Sequence, residues 1–472
     1  MIRSRGGRRL RAAAPLGMLA AVALAVTACT GPGTGGSPGG SPGESELTAS
    51  RVKGLVADLP QRSLAPPPTM RLASGLAPPT NRWFSGLVFG DAPNPVFPFP
   101  IWFDATEDGF AAALPTASST ATSIGTSVEN RLSVGLGATR FQVSAYDAVS
   151  ATLEYRAGKQ VLGTATIAEG SPVVFYTAAR TGTVTVSGSV QTGPSAGRGT
   201  VRVGDQDWAV VTSQARIDGT RILVRKGSTV ALFPVPAGSG TGVLGSLMDA
   251  ARSPLTGVAT SYSSVEGGQR TTLGYRTRDR ADTLLVPLPH QGRAAGTCTE
   301  GAYRTIYGTV PLCVGSRLQF ATPTAPARAA LDLGSVPEPQ KAELRRSLAA
   351  DVAALPEDPA DTYFGGKALY RAAMLLQLAR QLGDTAAEKT LTASLVRELD
   401  AWMDPQGCRA RDSRCFVYDP ALKTVVGRTA SFGSELGNDH HFHYGYFLYA
   451  AGVVAQDSPK LARSWAPVMD LL

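Results

Sequence analysis

The sequence predicts a multidomain β + α chain: a large antiparallel β-sandwich first, a set of helices after it. Three observations predict this. The chain has 472 residues, enough for roughly three domains with full hydrophobic cores. From about residue 80 to 325, β-branched and aromatic runs alternate with Gly-containing turns, and no helical spacing lies between them. From about residue 337 the apolar spacing switches to the helical period. A hydrophobic share of 43% against 17% charged excludes a mostly disordered chain. With 52 Gly and 33 Pro, turns and loops are abundant.

The first element is an export signal. Residues 1–11 are Arg-rich, 12–28 are small and apolar, and Cys29 follows Val26-Thr27-Ala28. This pattern is that of a lipoprotein signal peptide over 1–28, with Cys29 acylated after cleavage. An ordinary cleaved signal or an uncleaved anchor is the alternative, since a 17-residue apolar run is at the short limit for spanning. Residues 29–50 then read as a Gly/Ser/Pro linker holding the body off a membrane. The expected location is extracellular, lipid-anchored to the outer face of a bacterial cell membrane or secreted. Arg3, Arg5, Arg8, Arg9 and Arg11 leave with the signal, and with them the formal charge falls from +8 to +3. No basic patch argues for nucleic acid, and there is no P-loop or GxGxxG context for a nucleotide.

Export also sets how the cysteines read. Cys298 and Cys313 form one local pair, Cys408 and Cys415 another, and two short disulfides are the simplest account in an oxidising compartment. Zinc is the alternative, but the spacings do not resemble CxxC.

The segments 173–179, 183–190, 208–217, 220–236 and 282–289 supply the strand-like runs, within a sandwich domain placed at 51–325. Residues 337–355, 363–383, 384–403, 440–456 and 458–472 have helical spacing, in a domain placed at 326–472. Gly383 ends the second helix and Asp384 is the expected N-cap of the third.

The chemistry concentrates in Gly437-Asn438-Asp439-His440-His441-Phe442-His443-Tyr444-Gly445-Tyr446, which holds three of the four histidines. On a helix Asp439 and His443 would share a face at i, i+4. A carboxyl beside an imidazole and several rings fits a sugar site, where rings stack on the pyranose and the carboxyl serves as an acid. A metal site using Asp439 and His443, or a buried polar network without function, are the competing readings.

This run resembles the signature of glycoside hydrolase family 81, the endo-β-1,3-glucanases. Other segments resemble the family in the same order: Thr80-Asn81-Arg82-Trp83-Phe84, the PVFPFP of 95–100, the VPLPH ending at His290, and Asp361-Thr362-Tyr363-Phe364-Gly365-Gly366-Lys367. The likeness runs from about residue 76 to the end. It implies a β-sandwich with a small linking subdomain, then an (α/α)6 toroid, here incomplete. It also implies inverting hydrolysis of internal β-1,3-glucosidic bonds by a monomer, with no cofactor and no metal. Asp439 takes the family's general-acid position, and Tyr363, Lys367, His443, Asn438 and Asp361 line the glucan subsites. The base of such enzymes is a Glu in a motif well downstream of the histidine run. Here it is expected beyond Leu472, because a twelve-helix ring needs roughly 200 residues and 326–472 supply about five helices. Glu435 is too close to Asp439 to be the partner of an inverting pair, which leaves Asp361, Asp404 and Asp419 by elimination. The alternative reading is a non-catalytic glucan-binding surface lipoprotein.

Overall fold

The computed structural model describes residues 47–63, 69–291, 295–325, 328–355 and 359–472. The signal peptide, Cys29 and most of the linker lie outside the described residues.

The strands form because they are buried, some of them on both sides. Antiparallel strands run Trp102–Ala105, Gly109–Ala113, Leu132–Gly135, Gly182–Val186, Arg221–Pro234, Val174–Ala178, Gln160–Ala168, Ser150–Ala157 and Arg140–Tyr146 in spatial order, and Gln206–Asp218 also pairs with Arg221–Pro234. Together with two shorter partners they make a twelve-stranded sheet. Phe110, near one end of this order, lies 6.3 Å from Tyr155, near the other. The sheet therefore curls towards a barrel around a core that includes Phe84, Phe103, Leu153, Trp208 and Leu232. A five-stranded sheet packs on its outer face through Phe175, Ala209, Val211, Phe233 and Tyr275. This corrects the expectation of a plain two-layer sandwich. In the run Trp208-Ala209-Val210-Val211, alternate side chains feed the two different cores, so the strand is apolar on both faces.

Helices α1 (Ala49–Asp58), α2 (Ser85–Val88) and α3 (Thr241–Ala250) precede the helical region. That region holds α4 (Glu338–Ala353), α5 (Phe364–Leu382), α6 (Thr385–Trp402), α7 (Gly407–Ala410), α8 (His440–Ala455) and α9 (Pro459–Met469). Gly383 closes α5 in the left-handed conformation at φ 69°, as a residue without Cβ does readily. The Asp384 side chain caps α6 by accepting the Ala387 N–H at 3.0 Å. The five long helices pack around Leu376, Leu391, Leu399, Trp402, Phe447 and Trp465.

A linker ending at residue 50 and a β domain beginning at 51 do not describe the chain. Helix α1 crosses that boundary, and Leu59, just after it, is buried in the helical core. Arg51 pairs with Asp470 at 2.9 Å, and residues 60–62 hydrogen-bond to Tyr418 on both sides. Tyr418 belongs to the hairpin of Phe416–Asp419 and Thr424–Gly427, which the sequence reading did not anticipate. Two disulfides are present: Cys298–Cys313 across directly paired strand residues, and Cys408–Cys415. Among the described residues no helix is long and apolar enough to cross a membrane.

Candidate active site

The loop entering α8 carries the site. Four of its residues, Phe432, Gly433, Gly437 and Asp439, have positive φ, at 51°, 74°, 72° and 54°. For the two that carry a Cβ this conformation costs about 1–2 kcal/mol each, so neighbours must hold it. The Asn438 N–H donates to the Gly433 carbonyl at 3.1 Å, and the His443 N–H donates to the Asp439 carbonyl at 2.9 Å. The Asp439 N–H donates to Asn81 Oδ1 at 2.6 Å, a contact that reaches in from the N-terminal part of the chain.

This geometry corrects the placing of Asp439 on a helix. Asp439 is the residue before α8, in the left-handed conformation, and so stands outside the helix that carries His443. Glu435 is likewise not one α-helical turn behind it. It sits in a 3-10 turn, Ser434–Leu436, flanked by two left-handed glycines. The Asp439 side chain is exposed, and among the described residues nothing hydrogen-bonds or ion-pairs with its carboxylate.

His443 is buried at 1% exposure, with Nδ1 3.0 Å from the Thr362 hydroxyl and Nε2 without a partner among the described residues. Burial pushes its imidazole below the ordinary value, while Asp439 and Asp361 pull the other way. Both carboxylates thus act on one neutral-leaning ring. Asp361 Oδ1 accepts the N–H groups of Tyr363 and Phe364, each at 2.8 Å, and so caps the start of α5. The Tyr363 ring lies 5.3 Å from His443, 4.3 Å from Phe432 and 6.3 Å from Phe442. Lys367 Nζ stands 5.0 Å over the Tyr363 ring, so these two residues project together from the head of α5. Asn438 is exposed beside Asp439, its Nδ2 donating to the Phe432 carbonyl at 3.4 Å.

The structure thus gathers Asp361, Tyr363, Lys367, Asn438, Asp439 and His443 in one place. It adds Phe364, Phe432 and Phe442, which expose 48%, 58% and 55% of their surface. Together with Tyr363 these exposed rings form an apolar patch beside the carboxyl. Of these, Phe432 carried no local signal in the sequence, and Asn81 stood in a noted segment without a role. Two carboxylates drawn in by elimination do other work. Asp404 ion-pairs with Arg411 at 3.5 Å, and buried Asp419 accepts the Ala421 and Leu422 N–H groups. His440 is buried against the Val425 carbonyl at 3.1 Å, and burial lowers its basicity. His290 packs edge-on against Phe320, in the β region. Among the described residues no group of three or more His, Cys, Asp or Glu is placed to hold a metal ion.

Residues 336–472 match the glycosyl hydrolase family 81 C-terminal domain. Over those residues the chain is similar to glycoside hydrolase family 81. The chain is 34% identical over 202 residues to a glucan endo-1,3-beta-D-glucosidase of Thermobifida fusca, over 42% of this chain and 25% of that protein. It is 30% identical over 233 residues to the Acetivibrio thermocellus enzyme of the same name, over 46% of this chain and 29% of that one. The matched segments thus span less than a third of either relative. A solved glycoside hydrolase family 81 protein from Clostridium thermocellum, a glutamate-to-alanine variant, superposes with a TM-score of 0.75. At 22% identity, covering 88% of this chain and 61% of that one, it supports the fold: a mostly-β first part followed by helices.

Proposed function

We propose that this chain hydrolyses internal β-1,3-glucosidic bonds, with Asp439 as the general acid. The observation that carries the reading is a free, exposed carboxyl at the edge of an exposed aromatic patch. The names of the Thermobifida and Acetivibrio relatives, both glucan endo-1,3-beta-D-glucosidases, supply the substrate class. In this reading a glucose unit stacks on the rings around Tyr363, and Lys367 and Asn438 hydrogen-bond its hydroxyls. The Asp439 carboxyl gives its proton to the bridging oxygen as the bond to the anomeric carbon breaks. A second carboxylate activates water on the opposite face, and in an inverting pair the two carboxyls stand roughly 6.5–9.5 Å apart. Asp404 and Asp419 are committed elsewhere, so the base is not assigned among them. The helices α4 to α9 are read as part of an (α/α)6 toroid.

The test is release of oligosaccharides from linear β-1,3-glucan by the full chain and by Asp439→Asn. Loss of a general acid lowers the rate by about 10²–10⁴-fold. Equal rates would end the assignment. Glucan capture with no hydrolysis by either protein would favour a non-catalytic glucan-binding lipoprotein. Attachment through a lipid on Cys29, at the outer face of a bacterial membrane, is proposed from the sequence pattern alone. Labelling with a fatty-acid analogue, lost in Cys29→Ala, tests it.

A further inference from the structure

The carboxyl assigned as the acid belongs to the helical region, yet the residue that fixes its backbone comes from far earlier in the chain. Asn81 Oδ1 accepts the Asp439 N–H at 2.6 Å, and Asn81 Nδ2 lies 3.4 Å from His441 Nδ1. One amide side chain therefore touches both residues that flank the first position of α8. Asn81 itself has φ 48°, a left-handed conformation that Asn adopts more readily than most residues. The neighbouring Thr80 closes the same contact from the side: a Cβ built on Gly437 would meet Thr80 Cγ2 at 2.7 Å. The 80–81 corner is held in turn. The Arg82 N–H donates to Ser85 Oγ at 3.0 Å, Ser85 Oγ donates to the Pro79 carbonyl at 3.1 Å, and Phe84 is fully buried in the β core.

These contacts have a consequence for the site. A left-handed Asp439 is an unfavourable state that the loop does not satisfy by itself, because its N–H finds its acceptor on Asn81 and not within the loop. A single acceptor on a rigid corner both pairs that N–H and fixes the direction of the carboxyl-bearing carbon. We propose that Asn81 is a positioning residue for the reaction, setting the direction of the Asp439 carboxyl without touching the substrate. This rests on the reading of Asp439 as the acid.

The experiment uses Asn81→Gly and Asn81→Asp in the full chain. Glycine accepts the positive φ and removes the acceptor, so backbone strain is not what the variant measures. Aspartate keeps an acceptor for the Asp439 N–H. Two readouts are taken: hydrogen exchange at the Asp439 amide, and kcat and KM on a linear β-1,3-glucan oligosaccharide. In Asn81→Gly the amide is expected to exchange at least tenfold faster. Its kcat is expected to fall about tenfold, the rate worth of one hydrogen bond, with KM within about twofold. Asn81→Asp is expected to restore amide protection and part of kcat. Unchanged exchange and unchanged kcat in Asn81→Gly would overturn the proposal, and so would a loss confined to KM. If the parent chain hydrolyses no glucan, the hydrolytic activity proposed for it fails on its own, and the amide exchange still decides whether Asn81 holds the turn.

Discussion

Substituting Gly437 by alanine tests the junction at which the site is assembled, because two separate penalties meet there. The first is conformational: Gly437 has φ 72°, and a residue with a Cβ pays about 1–2 kcal/mol in that region. The second is steric. The new Cβ would stand 2.7 Å from Thr80 Cγ2, closer than side-chain atoms pack, while the next atom, Thr80 Cβ, is at 3.7 Å. Forcing a methyl into such a contact costs about 1–3 kcal/mol. Alanine also narrows the unfolded ensemble, which returns about 0.4–1 kcal/mol. The net loss expected for Gly437→Ala is about 2–3 kcal/mol. Thr80→Ser removes the methyl that clashes and leaves the backbone penalty untouched, so the two parts separate in a double-mutant cycle. Gly437→Ala in the Thr80→Ser background should cost only about 1 kcal/mol, a coupling of about 1–2 kcal/mol. Urea unfolding followed by helical circular dichroism measures all four proteins. An equal cost in both backgrounds would refute the packing of the 80–81 corner against this turn. A cost below about 0.5 kcal/mol in the parent would refute the need for a left-handed residue.

Three further outcomes follow from the same reasoning. Burial pushes the Glu169 carboxyl up to about 7, against a counteracting hydrogen bond from the Phe99 N–H, so the fold favours its protonated form. Its contribution is full below about pH 4.5 and is lost as pH rises to about 7, roughly 3 kcal/mol in all. Glu169→Gln should flatten unfolding free energy over that window, and an unchanged slope would contradict it. Replacing Cys408 and Cys415, separated by 7 residues, with serine should cost about 2 kcal/mol of stability by loop entropy, read by denaturant midpoint. No loss on substitution would show the bond does not constrain the unfolded chain. Tyr363→Ala removes the ring at the centre of the aromatic cluster and should weaken binding of a β-1,3-glucan oligosaccharide by about tenfold or more in calorimetry, as stacking losses do. Unaltered affinity would place the sugar elsewhere.

The parts of the fold legible in the sequence were those whose causes are local. The ends of α5 and α6 could be read because Gly383 and Asp384 satisfy helix termini with their own chemistry. The candidate cluster was legible because polar and aromatic residues are crowded into one short run from Asn438 to Tyr446. Other features depend on partners distant in sequence. The apolar stretch at Trp208–Val211 announces burial on both faces, yet nothing in it says that one face closes a curled sheet and the other meets a second sheet. Helix α1 follows a low-complexity stretch and finds partners such as Gln406 and Asp470 348 and 419 residues later, so no local pattern assigns it to the helical core. Asp439 fits helical spacing with His443 at i, i+4, and only its left-handed backbone, met by the Asn81 side chain, shows that it stands just before α8.

The docking of α1 on the helical core has a temporal side. The segment carrying Arg51 and Leu59 leaves the ribosome long before α4 to α9 exist to receive it. At about 5–20 residues per second, the interval between α1 and α4 is roughly 14–56 s. Until those helices form, the leucine just after α1 has no core to enter. Any factor that shields that leucine early, or any shortening of the chain that removes it, changes whether the helices close on their intended neighbour.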